Sequence, residues 1–574
     1  MCGIVGYRGD RKASRVVYKG LKKLEYRGYD SAGIATVNDN LHIDKGEGTI
    51  DQVSTSDKPG SISIGHTRWA THGGVNDTNA HPHTSTEEDI AVVHNGIINN
   101  YEELKEELGE HLFESETDTE VIPKLVEEEL RYTDDTLQAV RNTVERIEGS
   151  YAVALVTKDN ELIAFKNGSP LVIGTSEDEH FVASDVTPFL EHTEDAVFLE
   201  DGDIAVVEKD GFEIHNNGKK VERETTRIDW DAQQASKKEY NHYMKKEILE
   251  QPKTVKRAAF QDKSDMVKAR DMIENANTVY LTAAGTSSFA ADLGAKYLRE
   301  CGVNAVSEQA HEMEYRTEEI DEDDLVIGIS QSGETADLLA VTDNIDAPLL
   351  SVLNVKGSTL DRESDHTLLI NAGPEIGVAS TKAFTGQVAV LKLLKYTLED
   401  KLREGRDSLV STADKIETVL EDNEDTLHEL SEFLKEEEHV YFIGRYISYD
   451  LAKEADLKLK ELSYIHSESF PGGEFKHGNI SLVEDGTPVV SFIGDTGRED
   501  IISNTKEAES RGANVTTVDS EEHDFSDFHI QVQEDENEEL LKIVPFQILA
   551  YQTSLKLDNN PDKPRNLAKS VTVK

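Results

Sequence analysis

Across residues 2–217, apolar residues recur in short period-two runs closed by turn residues: SISIGHTRWA at 61–70, IAVVHNGII at 90–98, SYAVALVTKD at 150–159, ELIAFKNGSP at 161–170 and DIAVVEKDGF at 203–212. Such alternation predicts half-buried strands. Two stretches, 101–109 and 121–131, carry helical spacing instead. Together they predict an α+β domain of layered antiparallel sheet. The chain then turns polar and charged from Lys219 to Asn241 (KKVERETTRIDWDAQQASKKEYN), so residues 218–250 read as a linker.

Beyond the linker the pattern changes. Val279–Gly285 (VYLTAAG) is a continuous apolar run that enters small residues and then a helical pattern, and Leu325–Ser330 (LVIGIS) does the same before QSGETADLLAVT. About 160 residues after the first run the device returns in Val440–Gly444 (VYFIG) and again in Val489–Gly494 (VVSFIG). The pattern predicts two tandem α/β units with parallel sheets, at 265–400 and 428–560, arising by duplication, with a tail at 561–574. Ligands of such sheets bind at the carboxyl ends of the strands.

Composition narrows the function. The 574 residues are 37% hydrophobic, enough for several ordinary cores. Two cysteines, Cys2 and Cys301, provide no disulfide framework and fit a reducing, cytoplasmic setting. No run approaches the ~18 apolar residues of a membrane span. With 113 acidic against 60 basic residues the formal charge is −53, which repels nucleic acid and anionic membranes. Acid excess on a folded chain points to a surface suited to high salt, where self-repulsion is screened. The melting temperature is therefore expected to rise from low salt to molar KCl; an unchanged value would refute this.

Several stretches carry chemistry. Ser330-Gln331-Ser332-Gly333-Glu334-Thr335 and Thr286-Ser287-Ser288 place hydroxyls and backbone N–H groups in loops where helices begin, either as helix caps or as a phosphate cradle. Neither matches a P-loop or dinucleotide fingerprint. Lys458 and Glu461 share one face of a helix predicted at 450–462, where a surface ion pair is the plain alternative. His477 follows two glycines in a loop and Lys569 lies in the tail; both read equally as solvated. In HTRWATHG (66–73), Trp69 suits a core or rim position. Asn95-Gly96 could be a turn and Asp118 a helix cap. His81-Pro82-His83 lacks the carboxylates or thiols of a metal site.

Taken in order, CGIVGY, EYRGYDSAG, HTRWATHG, HNGIINNY and SETDTEV resemble the class-II glutamine amidotransferase domain, an Ntn-type layered fold with an N-terminal cysteine nucleophile. ISQSGETADLL, EIGVASTKAFT, LKLKELSYIH, GEFKHG and RNLAKSVTV resemble paired sugar-isomerase (SIS) domains. The ordered set is similar to the glutamine–fructose-6-phosphate aminotransferases, or glucosamine-6-phosphate synthases, over essentially the whole chain.

That resemblance implies removal of Met1, so that Cys2 becomes the first residue. An α-amine with a pKa near ~8 is a suitable base for its thiol. It further implies Asn95 and the Gly96 N–H as the oxyanion hole, and Arg68, Thr71, His72 and Asp118 around glutamine. Trp69 matches a gate on an internal ammonia channel. Thr286, Ser287, Ser330, Gln331, Ser332, Thr335, Val378 and Ser380 match the sugar-phosphate pocket, with Lys458 supporting Glu461. Lys569 would form a Schiff base with the fructose 6-phosphate ketone, Glu461 would move a proton from C1 to C2, and His477, from the partner subunit of a homodimer, would open the ring. No cofactor or metal is implied. Ala284, Gly472 and Asn479 stand where cysteine, alanine and proline are frequent in that family. The alternatives are a phosphoribosyl-pyrophosphate amidotransferase, a sugar-phosphate sensor built on SIS domains, and a glutamine-independent phosphosugar isomerase or deaminase.

Overall fold

A computed structural model describes residues 2–53, 58–70, 72–228 and 237–571. The chain divides into two compact units, Met1–Ala235 with Ala568–Lys574, and Ser236–Leu567.

Among the described residues, the first unit holds antiparallel sheets of eight and seven strands. The Gly3–Gly9 strand lies inside the eight-stranded sheet, between Glu179–Ala183 and Ile62–Arg68. In the seven-stranded sheet, Ile90–Ile98 pairs with Gly149–Thr157. Period-two alternation sends Ile4, Ile62 and Ile64 of one sheet and Ala91, Val93, Ala152 and Ala154 of the other into one shared core. The opposite faces are covered by helices. Val5 points to the helix Ala13–Leu24, where a Cβ on Gly20 would stand 2.9 Å from it. Val92, Val153 and Leu155 pack with the helices Val121–Glu129 and Thr136–Val144. Because both faces are covered, the whole Ile62–Arg68 strand is buried.

Among the described residues, the second unit contains two five-stranded parallel sheets with the same internal order, second-first-third-fourth-fifth strand. In one the first and third strands are Val279–Ala283 and Leu325–Ser330; in the other they are His439–Gly444 and Pro488–Phe492. This order reverses direction between the first and third strands, which is where a doubly wound sheet opens a ligand crevice. Helices Thr286–Glu300, Lys382–Leu398, Ile447–Ser463 and Glu538–Lys556 contribute to one core spanning both halves. Lys382–Leu398 is buried nearly all round, packed among the other helices of this core.

The expected linker at 218–250 needs correction. Lys219–Val221 extends the seven-stranded sheet and Thr225–Arg227 the eight-stranded one. Both are edge strands largely open to solvent, so no apolar alternation announces them. Tyr243–Leu249 is a helix whose Met244 and Ile248 are fully buried in the second unit's core.

Candidate active sites

In the first unit, the alternation that builds the core also builds a polar mouth. Along Ile62–Arg68 the inward positions run Ile62, Ile64, His66, Arg68; along Ile90–Ile98 they run Ala91, Val93, Asn95. Ile4 lies opposite His66 in the ladder, so Cys2, two residues before Ile4, emerges at the same end. The Cys2 Sγ accepts from the Trp69 N–H at 3.1 Å and lies 3.4 Å from the Trp69 carbonyl. Burial pushes the thiol up, while the Trp69 N–H and the Arg68 guanidinium oppose that shift. Asn95 Nδ2 donates to the Cys2 carbonyl at 3.0 Å.

Asn95-Gly96 is not a turn: both residues lie within a paired strand. Gly96 has φ +128°, and a Cβ there would stand 1.9 Å from the Ser150 carbonyl oxygen, so only glycine fits. Asp118 is not a helix cap either. The helix starts at Val121, and Asp118 Oδ2 instead accepts from the Ile98 N–H at 2.8 Å. Arg68 is 3% exposed and donates to the carbonyls of His72, Gly73 and Gly74. Trp69 follows the strand half-buried, edge-on to Tyr29 at 5.8 Å. His72 meets Tyr101 edge-on at 5.7 Å. Thr71 lies outside the described residues.

Sequence reasoning missed Asp30 and His66. Asp30 Oδ2 accepts from the Ala70 N–H at 2.9 Å, and its own N–H donates to the Arg68 carbonyl at 3.0 Å, holding the Arg68–Ala70 turn. His66 contacts Asn95 at 3.0 Å. His81 and His83 are buried against the hydroxyls of Thr119 and Thr117.

In the second unit the crevice between Val279–Ala283 and Leu325–Ser330 holds both hydroxyl-rich segments. Thr286-Ser287-Ser288, expected as a loop, is the first turn of the helix Thr286–Glu300. Ser287 Oγ accepts from Gln387 at 3.0 Å. Ser330 Oγ accepts from the Gly333 N–H at 3.0 Å and lies 3.1 Å from the Thr335 hydroxyl. Gly333 has φ +68°, and a Cβ there would meet the Ser358 Oγ at 2.0 Å. Thr335 sits at the N-cap of Ala336–Thr342 without capping it, so the cap alternative fails at this position. Half-buried Gln331 and Ser332 complete the loop. Ser380 donates to Glu375 at 3.1 Å, and Val378 is buried two residues before it.

Lys458 and Glu461 share a helix face as expected, but the surface alternative is wrong. The Lys458 side chain is 1% exposed. Its ammonium donates to Glu461 Oε2 at 2.7 Å and to Thr286 Oγ1 at 2.9 Å, with Glu454 at 3.8 Å. Burial alone would lower Lys458; Glu454 and Glu461 outweigh it and raise the pKa. Burial pushes Glu454 up to about 8, against the pull of Lys458.

His477 is exposed after the short helix Gly472–Phe475, and among the described residues no side-chain hydrogen bond joins it to Lys458 or Glu461. A Cβ on Gly472 would stand 2.6 Å from Ile501, which accounts for glycine there. Lys569 lies in the Ala568–Lys574 segment grouped with the first unit, whereas Lys458 and Glu461 lie in the second. The start of the tail is held in the second unit: Arg565 donates its N–H to the Tyr464 hydroxyl at 2.7 Å and stacks on its ring at 4.1 Å. Tyr464 ends the Lys458–Glu461 helix in a left-handed conformation. Among the described residues there is no cluster of metal-ligating side chains and no helix long and apolar enough to cross a membrane.

The model of the glutamine amidotransferase domain matches residues 66–191, and that of the SIS domain matches 272–395 and 433–557. The isomerizing glutamine–fructose-6-phosphate aminotransferase of Thermococcus kodakarensis is 44% identical, and that of Pyrococcus horikoshii 43%, each aligned over 100% of both chains. The solved C-terminal domain of glucosamine-fructose-6-phosphate aminotransferase from Francisella tularensis is 31% identical with TM-score 0.54, covering 57% of this chain and 99% of that one. A glutamine amidotransferase domain followed by two SIS domains, with full-length relatives at this identity, places the chain in the glutamine–fructose-6-phosphate aminotransferase (isomerizing) family.

Proposed function

We propose that this chain transfers the amide nitrogen of glutamine to fructose 6-phosphate and isomerises the product, giving glutamate and glucosamine 6-phosphate. The observation that carries this reading is the pairing, in one chain, of a backbone-held Cys2 thiol beside Asn95 with a buried Lys458–Glu461 pair at the hydroxyl-lined crevice.

In the first unit, Cys2, freed of Met1, gives its proton to its own α-amine. The thiolate then attacks the glutamine carboxamide. The developing oxyanion is met by Asn95 Nδ2 and the Gly96 N–H, donors of a kind that contribute about 3 kcal/mol each. Arg68 receives the glutamine carboxylate and Asp118 its ammonium group, as charge-assisted pairs, with Thr71 and His72 beside them. Collapse breaks the C–N bond and releases ammonia, and water then cleaves the thioester to glutamate. Trp69 gates the ammonia route. A dry route matters because water would convert ammonia to unreactive ammonium.

In the second unit, Thr286, Ser287, Ser330, Gln331, Ser332 and Thr335 bind the sugar phosphate through hydroxyls and N–H groups at helix starts, with Val378 and Ser380 bordering the sugar. His477 of the partner subunit opens the ring, so the working unit is a homodimer. Lys569 condenses with the C2 ketone and loses water. Ammonia displaces Lys569 to leave a C2 imine, and Glu461 takes the C1 proton and returns it to C2. Lys458 keeps Glu461 in place. An assay with both substrates is expected to give glutamate and glucosamine 6-phosphate in equal amounts; glutamate without the amino sugar would overturn the reading.

A further inference from the structure

A carboxamide has two ends of nearly equal shape and opposite polarity. If Asn95 is to meet an oxyanion, its nitrogen must face the reacting carbonyl, and a flip would present an oxygen instead. Something has to distinguish the two ends, and His66 lies against one of them. Its Nε2 is 3.0 Å from Asn95 Oδ1, while Asn95 Nδ2 donates to the Cys2 carbonyl at 3.0 Å. With one N–H of Nδ2 so engaged, the other remains for a substrate oxygen. Because Oδ1 can only accept, His66 must carry its proton on Nε2.

The surroundings of His66 allow little else. The side chain is fully buried, and its Nδ1 forms no hydrogen bond of good geometry, with the His94 backbone standing near the ring. Its ring stacks on His81 at 4.2 Å with planes 17° apart. Burial drives the His66 pKa down to about 3, so the ring stays neutral at working pH. The adjoining groups follow one proton order. His81 Nδ1 accepts from the His94 backbone N–H at 3.4 Å, which puts the His81 proton on Nε2, facing the Thr119 hydroxyl at 3.3 Å. Thr119 then donates to His94 Nδ1 at 2.8 Å. These contacts place the His81 proton on Nε2 and leave His94 accepting at Nδ1, while the His66 proton is set by Asn95.

We propose that His66 is a positioning residue for amide hydrolysis: its Nε2–H holds the Asn95 carboxamide with Nδ2 turned toward the Cys2 site. It acts through Asn95 and never touches glutamine. This rests on the reading of Asn95 as an oxyanion donor.

The test compares His66→Leu, His66→Gln, Asn95→Ala and the His66→Leu/Asn95→Ala double variant of the full chain. Readouts are kcat and KM for glutamine with fructose 6-phosphate present, melting temperature, and the rate of Cys2 alkylation by iodoacetamide. His66→Leu is expected to lose about 10–100-fold in kcat, with KM and alkylation close to wild type. His66→Gln, whose amide nitrogen can stand where Nε2–H stands, should recover most of the loss. The double variant should be no slower than Asn95→Ala, since both changes act through one group. A wild-type kcat in His66→Leu, a folded His66→Gln no faster than His66→Leu, or a double variant slowed by the product of both effects would overturn the proposal. If Leu prevents folding, His66→Gln alone decides: near-wild-type kcat supports the role and a large loss in folded protein refutes it. If Asn95→Ala retains full kcat, the oxyanion reading itself falls; a slow Asn95→Ala beside a normal His66→Leu removes only the positioning role.

Discussion

Replacing Cys2 with alanine is expected to abolish glutamine-dependent product formation, by at least about 10⁴-fold, because removing a covalent nucleophile takes with it every step that depends on the acyl intermediate. Phosphosugar isomerisation should remain within about twofold of wild type, since the buried cation–carboxylate machinery lies in the other compact unit. The melting temperature should hardly move: Cys2 is only half-buried, and Ile4 anchors the strand, its N–H donating to Ser184 Oγ at 3.0 Å. Measuring glutamate release and fructose-to-glucose 6-phosphate conversion on one preparation separates the two activities. Residual glutaminase above about 1% of wild type would remove Cys2 from its role, and loss of both activities together would show that the variant had lost its fold. The same reading requires a free α-amine on Cys2, so intact-mass measurement of active protein should find Met1 absent.

What the linear pattern discloses depends on how a group is buried. Period-two runs located the Ile62–Arg68 and Ile90–Ile98 strands through the side chains that face the sandwich core, but did not disclose that helices cover the other face as well. The strands Lys219–Val221 and Thr225–Arg227 escaped because edge strands open to solvent need no apolar side chains. Helical spacing put Lys458 and Glu461 on one face but could not say what lay opposite. The Thr286 hydroxyl that receives Lys458 is 172 residues away in sequence. Glu454, at i−4 from Lys458, was visible as a charge and invisible as a buried one. His66 shows the same limit. It lies within the SISIGHTRWA run, yet its partner Asn95 belongs to the other sheet. Resemblance supplied the residues expected to touch substrate; the geometry supplied those that hold them.

Lys458→Met is the second large effect, and its direction with pH can be worked out. Methionine keeps the length and volume of the buried stem but removes the charge between Glu454 and Glu461. Isomerisation is expected to fall about 10²–10⁴-fold, because the proton carrier loses the ammonium that orients it at 2.7 Å. Cys2 alkylation should proceed at the wild-type rate. Breaking a buried pair by removing one partner costs about 3–5 kcal/mol where the remaining charge cannot be neutralised. Here Glu454 can take up a proton. Its ordinary value near 4.5 is already raised to about 8 by burial, despite the lowering influence of Lys458. Between these values the folded wild-type protein holds a proton that the unfolded chain releases, so this group's contribution to stability falls as pH rises through that window and levels off above about 8. Without Lys458 the folded-state value climbs further, and stability keeps falling where the wild type has levelled. The gap in melting temperature between wild type and Lys458→Met should therefore be small near pH 5 and widest above pH 8. A gap that is constant across that range, or that narrows with pH, would show that Lys458 does not compensate Glu454, and an isomerase rate near wild type would show that Glu461 needs no cation beside it.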